Sequence, residues 1–354
     1  MPMIQTASRI PPVAETAVLL NANAKHVNSR VRRELAGVVP ARNLFLSRDP
    51  ADAVRIADTV VQRRFGTVFT GGGDGTFVSW VNHILDRSER GQSPPPRFGV
   101  LALGTGNAVA EVVGARPREL VEDLRRYLRG DVPFCRRLDL MLCEGRRTPF
   151  AGVGIDAGIL NDYNWLKQRF GSTSLARLTL GMPGYGLAIA LRSAPRQIAQ
   201  RKPVYCEVVN AGRPAWRLDA QGLRVGPPIE TGDLLYAGPC MLAAAGTVPY
   251  YGFGLKAFPY ALAQPGMMHL RVASEIPVGT LLWNVRSIWD GAFRHPGLLD
   301  FQVERVALRF ERPMPLQVGG DAEGWREEVA FGMAPRGVEV VDFTLAPSAR
   351  PAAA

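Results

Sequence analysis

Three short segments of this chain hold residue types that could do chemistry. The first is a glycine turn, Gly71-Gly72-Gly73-Asp74-Gly75-Thr76, and the second is Leu103-Gly104-Thr105-Gly106-Asn107. Glycines, lacking Cβ, let backbone N–H groups come close to a phosphate, and a following helix adds the positive end of its dipole. Asp74 would repel a bare phosphate but suits a Mg²⁺ that bridges phosphates. The loop is not the lysine-containing Walker type, since no Gly-Lys-Ser/Thr follows, and three glycines also make an ordinary tight turn. In the second segment, Asn107 can cap a helix expected from Ala108. The third segment, Gly319-Gly320-Asp321-Ala322-Glu323, offers two carboxylates. Taken alone it reads as a solvated turn.

The elements around the glycine turns are those of an α/β domain. Ala17–Leu20 is a short apolar run that enters the polar turn Asn21-Ala22-Asn23-Ala24, as a buried strand would. Asp49-Pro50 offers an N-cap with proline at the first helical position. A helix over 51–64 follows, with Val54, Ala57, Val60 and Val61 on one face. Thr67–Thr70 is a second strand, and a helical pattern resumes at Phe77 and runs to Leu85. The run 98–102 is a third strand. Strand, helix, strand, glycine turn, helix is the grammar of a doubly wound sheet. In such a sheet the turns after successive parallel strands line one carboxyl-end crevice. Past a polar, Arg-rich linker at 130–147, short β-like runs alternate with Gly and Pro turns: 138–143, 204–209, 234–237, 268–273, 306–310 and 338–343.

In this order the motifs resemble the diacylglycerol kinase, sphingosine kinase and bacterial lipid kinase family, whose fold is related to NAD kinase. Gly72–Thr76 and Leu103–Asn107 match its nucleotide loops. Gly154-Ile155-Asp156-Ala157 resembles the segment opening its second domain, and Tyr251-Gly252-Phe253-Gly254 with Pro259 and Ala261 its glycine triplet. Asp321-Ala322-Glu323 stands where that family has Asp-Gly-Glu. The resemblance implies an ATP-binding catalytic domain over 1–140, NAD kinase-like in fold. A β-rich, sandwich-like lipid domain with an added helical segment would span 141–345, with a disordered tail over 346–354 and the site in the cleft between the two domains. It implies ATP and Mg²⁺ as cofactors. Asn21, Gly71, Gly72, Gly73, Gly75, Thr76, Gly104, Thr105, Gly106 and Asn107 would hold the nucleotide. Asp74 would hold the metal in the catalytic site, Asp321 would help hold it or orient Glu323, and Glu323 would be the general base on a lipid hydroxyl, diacylglycerol or a related one.

The chain departs from the family at several points. Val78-Ser79 replaces an Asn-Glu pair, Ala108 an acidic residue, and Gln264-Pro265-Gly266 lies where an Asp-Gly is usual. Those losses weigh on the family's structural Mg²⁺ site. They also keep two alternatives open: a degenerate lipid-binding or regulatory homologue, and a kinase of a soluble substrate in the manner of NAD kinase.

Composition fits this picture. The 354 residues carry 42 Lys and Arg against 32 Asp and Glu, a net charge of +10, and 47% are hydrophobic. That length favours two domains, and the excess of cations suits an anionic partner or reflects composition alone. No zinc finger, basic-aromatic signature or basic tail is present, so nucleic acid is not an expected partner. The four dispersed cysteines, Cys135, Cys143, Cys206 and Cys240, suggest neither zinc nor a disulfide framework. With no leader pattern over 1–16, the expected location is cytoplasmic, peripheral at the inner membrane face, with a homodimer as one expected state. Two acid-free stretches, Tyr163–Cys206 and Leu234–Ser274, mix large apolar and basic or aromatic residues. They read either as lipid-docking surface or as ordinary core.

Overall fold

The computed structural model describes residues 8–9, 15–24, 26–104, 106–132, 134–158, 203–252 and 254–345. Thr105, the tail after 345 and most of the Tyr163–Cys206 stretch lie outside the described residues. The chain divides into two units, 1–139 with 336–354 and 140–335.

The first unit is built on a seven-stranded mixed sheet. Its strands are β1 (Ser8–Arg9), β2 (Thr16–Asn21), β3 (Leu44–Ser47), β4 (Thr67–Gly72), β5 (Arg97–Ala102) and β6 (Phe134–Leu138), with the chain's last strand, Val338–Val341. The order is β1, β6, last strand, β5, β4, β2, β3. β3, β2, β4, β5 and the last strand run parallel, while β6 is antiparallel to both its neighbours, the last strand and β1. The parallel strands are apolar runs buried on both faces: Ala17–Leu20 and Val68–Phe69 are at most 1% exposed.

Helices α1 (Ser29–Ala36), α2 (Pro50–Gln62), α3 (Asp74–Arg90), α4 (Ala108–Val113) and α5 (Leu120–Leu128) belong to this unit. α2 starts as its sequence directs, with the Asp49 side chain accepting from Asp52 N and Pro50 at the first position. Its buried face is Ala53, Ala57 and Val60 rather than Val54, which is exposed. Small alanines at 53 and 57 let the helix come close, and the bulkier Val54 turns outward.

Two expectations are corrected here. The run 338–343 was expected among the strands of the second domain, yet Val338–Val341 pairs with β5 and β6 of the first sheet. Asp342, fully buried, explains the return, because Arg136 Nε of β6 donates to its carboxylate at 2.7 Å. The stretch 130–147 is likewise no plain linker: it holds β6 and the start of the second unit's first hairpin.

Among the described residues the strands of the second unit all pair antiparallel. Its strands are β7 (Met141–Cys143), β8 (Arg146–Thr148), β9 (Phe150–Gly154), β10 (Val204–Asn210), β11 (Ala215–Leu218), β12 (Arg224–Ile229), β13 (Leu234–Cys240), β14 (Leu242–Gly246), β15 (Met268–Ala273), β16 (Leu298–Val303), β17 (Arg305–Val318) and β18 (Asp321–Met333). They form one twelve-stranded sheet. The long strand β17 pairs with β10 through its first half and with β9 through its second, so the sheet folds over the core. That core includes Val153, Val208, Leu270, Leu308, Leu316 and Phe331.

The acid-free stretch Leu234–Ser274 resolves largely into this core: Ala243, Ala245, Met268, Leu270 and Val272 are completely buried. Most of its apolar side chains pack the sheet, while Leu234 stays 55% exposed. The four cysteines are free and buried, and burial pushes the Cys135 and Cys143 thiols up to about 12. Among the described residues no helix is long and apolar enough to cross a membrane.

Candidate functional site

In the first unit the sequence-predicted residues converge. β2, β4 and β5 lie side by side and parallel, paired Leu20 to Gly71 and Gly72 to Ala102, so their carboxyl ends open on one edge. The two glycine turns there touch backbone to backbone. Leu103 N donates to Gly72 O at 3.0 Å and Asp74 N to Gly106 O at 3.1 Å. A Cβ on Gly104 would fall 2.1 Å from Gly73 Cα, so only glycine permits this approach. The turn after β2 joins them, with His26 N donating to Leu103 O at 3.2 Å. Asn21 Nδ2 donates to Thr76 Oγ1 at 3.0 Å, and Asn21 Oδ1 accepts from Asn23 N at 2.9 Å.

α3 begins at Asp74, three residues before the expected start, with Gly73 at its N-cap. Gly75 and Thr76 therefore lie in the first helical turn, where amides have no partner within the helix. Together with the dipole of a seventeen-residue helix, they make this edge an anion cradle.

Asp74 also has a task within the fold. Its carboxylate is 7% exposed and accepts from Ala108 N at 2.9 Å and Val109 N at 3.2 Å. It thus caps α4 across space and pins one glycine turn to the other. Asn107 stands at the N-cap position but gives no capping bond; its Nδ2 donates instead to Gly104 O at 3.1 Å. Burial raises the Asp74 pKa, against the lowering effect of the two amides.

In the second unit, the hairpin from β17 to β18 carries the acidic turn. Gly319 and Gly320 have φ of 62° and 89°, a left-handed pair that glycine adopts without strain. A polar chain anchors the turn from below. Gly320 N donates to Gln317 Oε1 at 2.8 Å, Gln317 Nε2 donates to the Tyr251 hydroxyl, and that hydroxyl donates to Asp156 Oδ2. Burial raises the Asp156 pKa, against the lowering effect of the Tyr251 hydroxyl. Beside the turn, Arg146 of β8 takes both carboxylates, through Nη1 to Glu323 Oε1 and through Nη2 to Asp321 Oδ2 at 3.4 Å. Glu323 is the more sheltered, its side chain 28% exposed against 60% for Asp321.

The sequence reading missed Arg146 and Gln317. Arg146 sits in an ordinary Arg-Arg turn with no pattern to flag it. Gln317 could have been found as the lone amide in the apolar end of β17, next to Gly-Gly.

Both Asp74 oxygens are held by amides, and no three His, Cys, Asp or Glu cluster to hold a metal among the described residues. An open pocket of about 700 Å³ in the second unit, lined by Arg217, Asp219, Arg294 and Asp300, contains none of the predicted residues.

Comparison with known proteins agrees with the first unit's geometry. Residues 17–140 match the diacylglycerol kinase catalytic domain. Over 123 residues the chain is 32% identical to a Klebsiella pneumoniae (strain 342) protein described as "Probable lipid kinase YegS-like". That match spans 33% of this chain and 39% of the relative. In fold, the chain is similar to a diacylglycerol kinase of Bacillus anthracis str. Sterne, with a TM-score of 0.62 at 11% identity. That likeness covers 94% of this chain and 98% of the other.

Proposed function

We infer that this chain, a diacylglycerol kinase-like family member through residues 17–140, is an ATP-dependent kinase that phosphorylates a lipid hydroxyl. The observation that carries the nucleotide half is the contact of Gly104 on Gly73 at the ends of adjacent parallel strands. It opens the first-turn amides of α3 to a polyphosphate, as phosphoryl transfer requires chiefly positioning and charge neutralisation. Mg²⁺ would arrive with the nucleotide phosphates, as it commonly does, bound by them more than by protein.

Glu323 is our candidate base. In the reaction it takes the proton from the acceptor hydroxyl as that oxygen forms its bond to the γ-phosphorus and the bond to the β-phosphate oxygen breaks, leaving ADP. Arg146 holds the carboxylate in one orientation, and the Gly320–Gln317–Tyr251–Asp156 chain fixes the turn that presents it. A diacylglycerol or related neutral lipid is the acceptor we propose, on the strength of the family and of the described lipid kinase relative. The protein would then work as a peripheral visitor to a membrane.

The test is transfer of labelled γ-phosphate from Mg·ATP into a mixed lipid extract, with Glu323→Gln beside the wild type. A base of this kind contributes about 10²–10⁴-fold, so the variant should lose at least a hundredfold in rate while binding ATP normally. Wild-type transfer with an equally active variant would remove Glu323 from the mechanism. ATP binding without transfer to any lipid would favour the homologue that keeps the fold without the lipid reaction.

A further inference from the structure

Two short helices of the second unit, α6 (Val278–Trp283) and α7 (Val285–Trp289), carry large apolar side chains that stay exposed. Leu281 and Ile288 turn inward and pack on Met241, Ala273, Ile276 and Phe293. Leu282, Trp283 and Val285 stay outside, 59%, 91% and 51% exposed. Trp283 is the most exposed large hydrophobic side chain among the described residues. Scattered single apolar residues need no explanation, but a tryptophan left in water beside two aliphatic side chains does.

The charge around this surface narrows what covers it. No acidic residue occurs from 276 to 289. Arg286, with its side chain 97% exposed, borders the apolar group, and its nearest acid is Asp290, at a loose 3.9 Å. Glu275 and Asp290 flank the segment in sequence, and Lys256 is tied to it through its backbone N–H, which donates to Trp289 O at 2.9 Å. A chain bearing +10 overall is drawn to an anionic plane. Tryptophan beside leucine and an exposed arginine is the residue set that settles at the boundary between headgroups and acyl chains.

We propose that the α6–α7 surface docks on an anionic lipid bilayer, with Leu282 and Trp283 entering the headgroup–acyl boundary and Arg286 meeting the phosphates. It deepens the lipid-acceptor reading and rests on it for the reason a bilayer is visited. It also moves the docking surface away from the Leu234–Ser274 stretch, whose apolar residues are largely core.

The experiment is co-sedimentation of the full chain, without ATP, with vesicles of phosphatidylcholine alone or mixed with phosphatidylglycerol. Beside it runs phosphorylation of detergent-dispersed lipid, which needs no docking. The wild type should bind the anionic vesicles more tightly. The double variant L282A/W283A should lose about tenfold or more, given the area a tryptophan buries. R286Q should lose about fivefold, the worth of one cation near such a surface, and both variants should keep the wild-type circular dichroism spectrum. If the double variant binds vesicles as the wild type does, the proposal is overturned. It is equally overturned if the wild type binds no vesicles, including the case where it forms a dimer or takes up an acidic protein that Trp283→Ala dissolves. Trp283-dependent vesicle binding with no phosphorylation of dispersed lipid would uphold the docking surface and sink the kinase reading alone.

Discussion

Replacing Asp74 by alanine removes the acceptor of two buried amides at once, and the structure sets the size of the effect. The carboxylate is 7% exposed and holds Ala108 N and Val109 N at 2.9 and 3.2 Å. A buried donor left without a partner costs about 1–3 kcal/mol, and loss of a helix N-cap about 0.5–2 kcal/mol. These are two descriptions of overlapping losses, and water entering the gap offsets part of them, so D74A should destabilise the first unit by about 2–4 kcal/mol. D74N keeps one acceptor oxygen but turns an amide donor toward the second backbone N–H, and should cost about half as much. Urea unfolding gives the free energy. Hydrogen exchange of a peptide spanning 106–113 gives the location, since the amides of α4 should lose protection first. A D74A protein within about 0.5 kcal/mol of wild type, with α4 protection unchanged, would refute the capping role. If that protein had also lost Mg·ATP affinity, Asp74 would be returned to the metal role its sequence implied.

Other consequences can be checked in the same preparations. Gly104→Ala places a Cβ against Gly73 backbone rather than a movable side chain, so it should cost about 1–3 kcal/mol and weaken ATP binding at least tenfold; wild-type affinity by calorimetry would sink the convergent-turn reading. Arg146→Met should lower kcat about tenfold while leaving KM for ATP unchanged, because it frees Glu323 without touching the nucleotide cradle; an equal loss in KM would contradict that division. In the second unit, burial lowers the pKa of His269, against the pull of Asp300. Burial alone would push Asp300 up, but His269 and Arg271 outweigh it and hold its carboxyl well below the usual range. Both groups therefore bind protons less readily folded than unfolded. Stability should be full above about pH 6.5, fall as His269 resists protonation, and fall again below about pH 4 as Asp300 does. Urea midpoints should show the first decline between pH 7 and 5, and His269→Gln should flatten it; a flat wild-type profile would count against the buried cluster.

What the sequence disclosed and what it hid divide along contact range. The nucleotide edge was legible because its constraints are local. Glycines at 71–73 and 104–106 and the apolar runs before them announce strand, turn and helix within a dozen residues, and the expected sheet order places those turns together. What the sequence did not disclose was the local partner of Asp74, whose carboxylate accepts from the first amides of α4, contributed by the neighbouring loop. Asn107 lost the capping role to the same residue. On the α2 face, a period-3.6 reading favoured Val54 over Ala53, because hydrophobicity was weighed without the close approach that alanine allows.

The acidic turn was legible only as a motif, since everything that orients it comes from far away. Arg146 reaches Glu323 across 177 positions, Tyr251 reaches Asp156 across 95, and Gln317 reaches Tyr251 across 66. No local period encodes such partners. The return of Val338–Val341 to the first sheet has the same character, with Arg136 and Asp342 separated by 206 positions. This asymmetry has a functional counterpart. A phosphate can be held by backbone amides, so the nucleotide edge needs little beyond glycine and a helix start. A proton acceptor needs one side chain in one orientation, and that takes several others to fix. Substitutions that spare the glycines but alter Arg146, Gln317 or Tyr251 should therefore leave nucleotide binding intact while reducing transfer, and those three positions are where a homologue of this fold could lose its reaction without losing its shape.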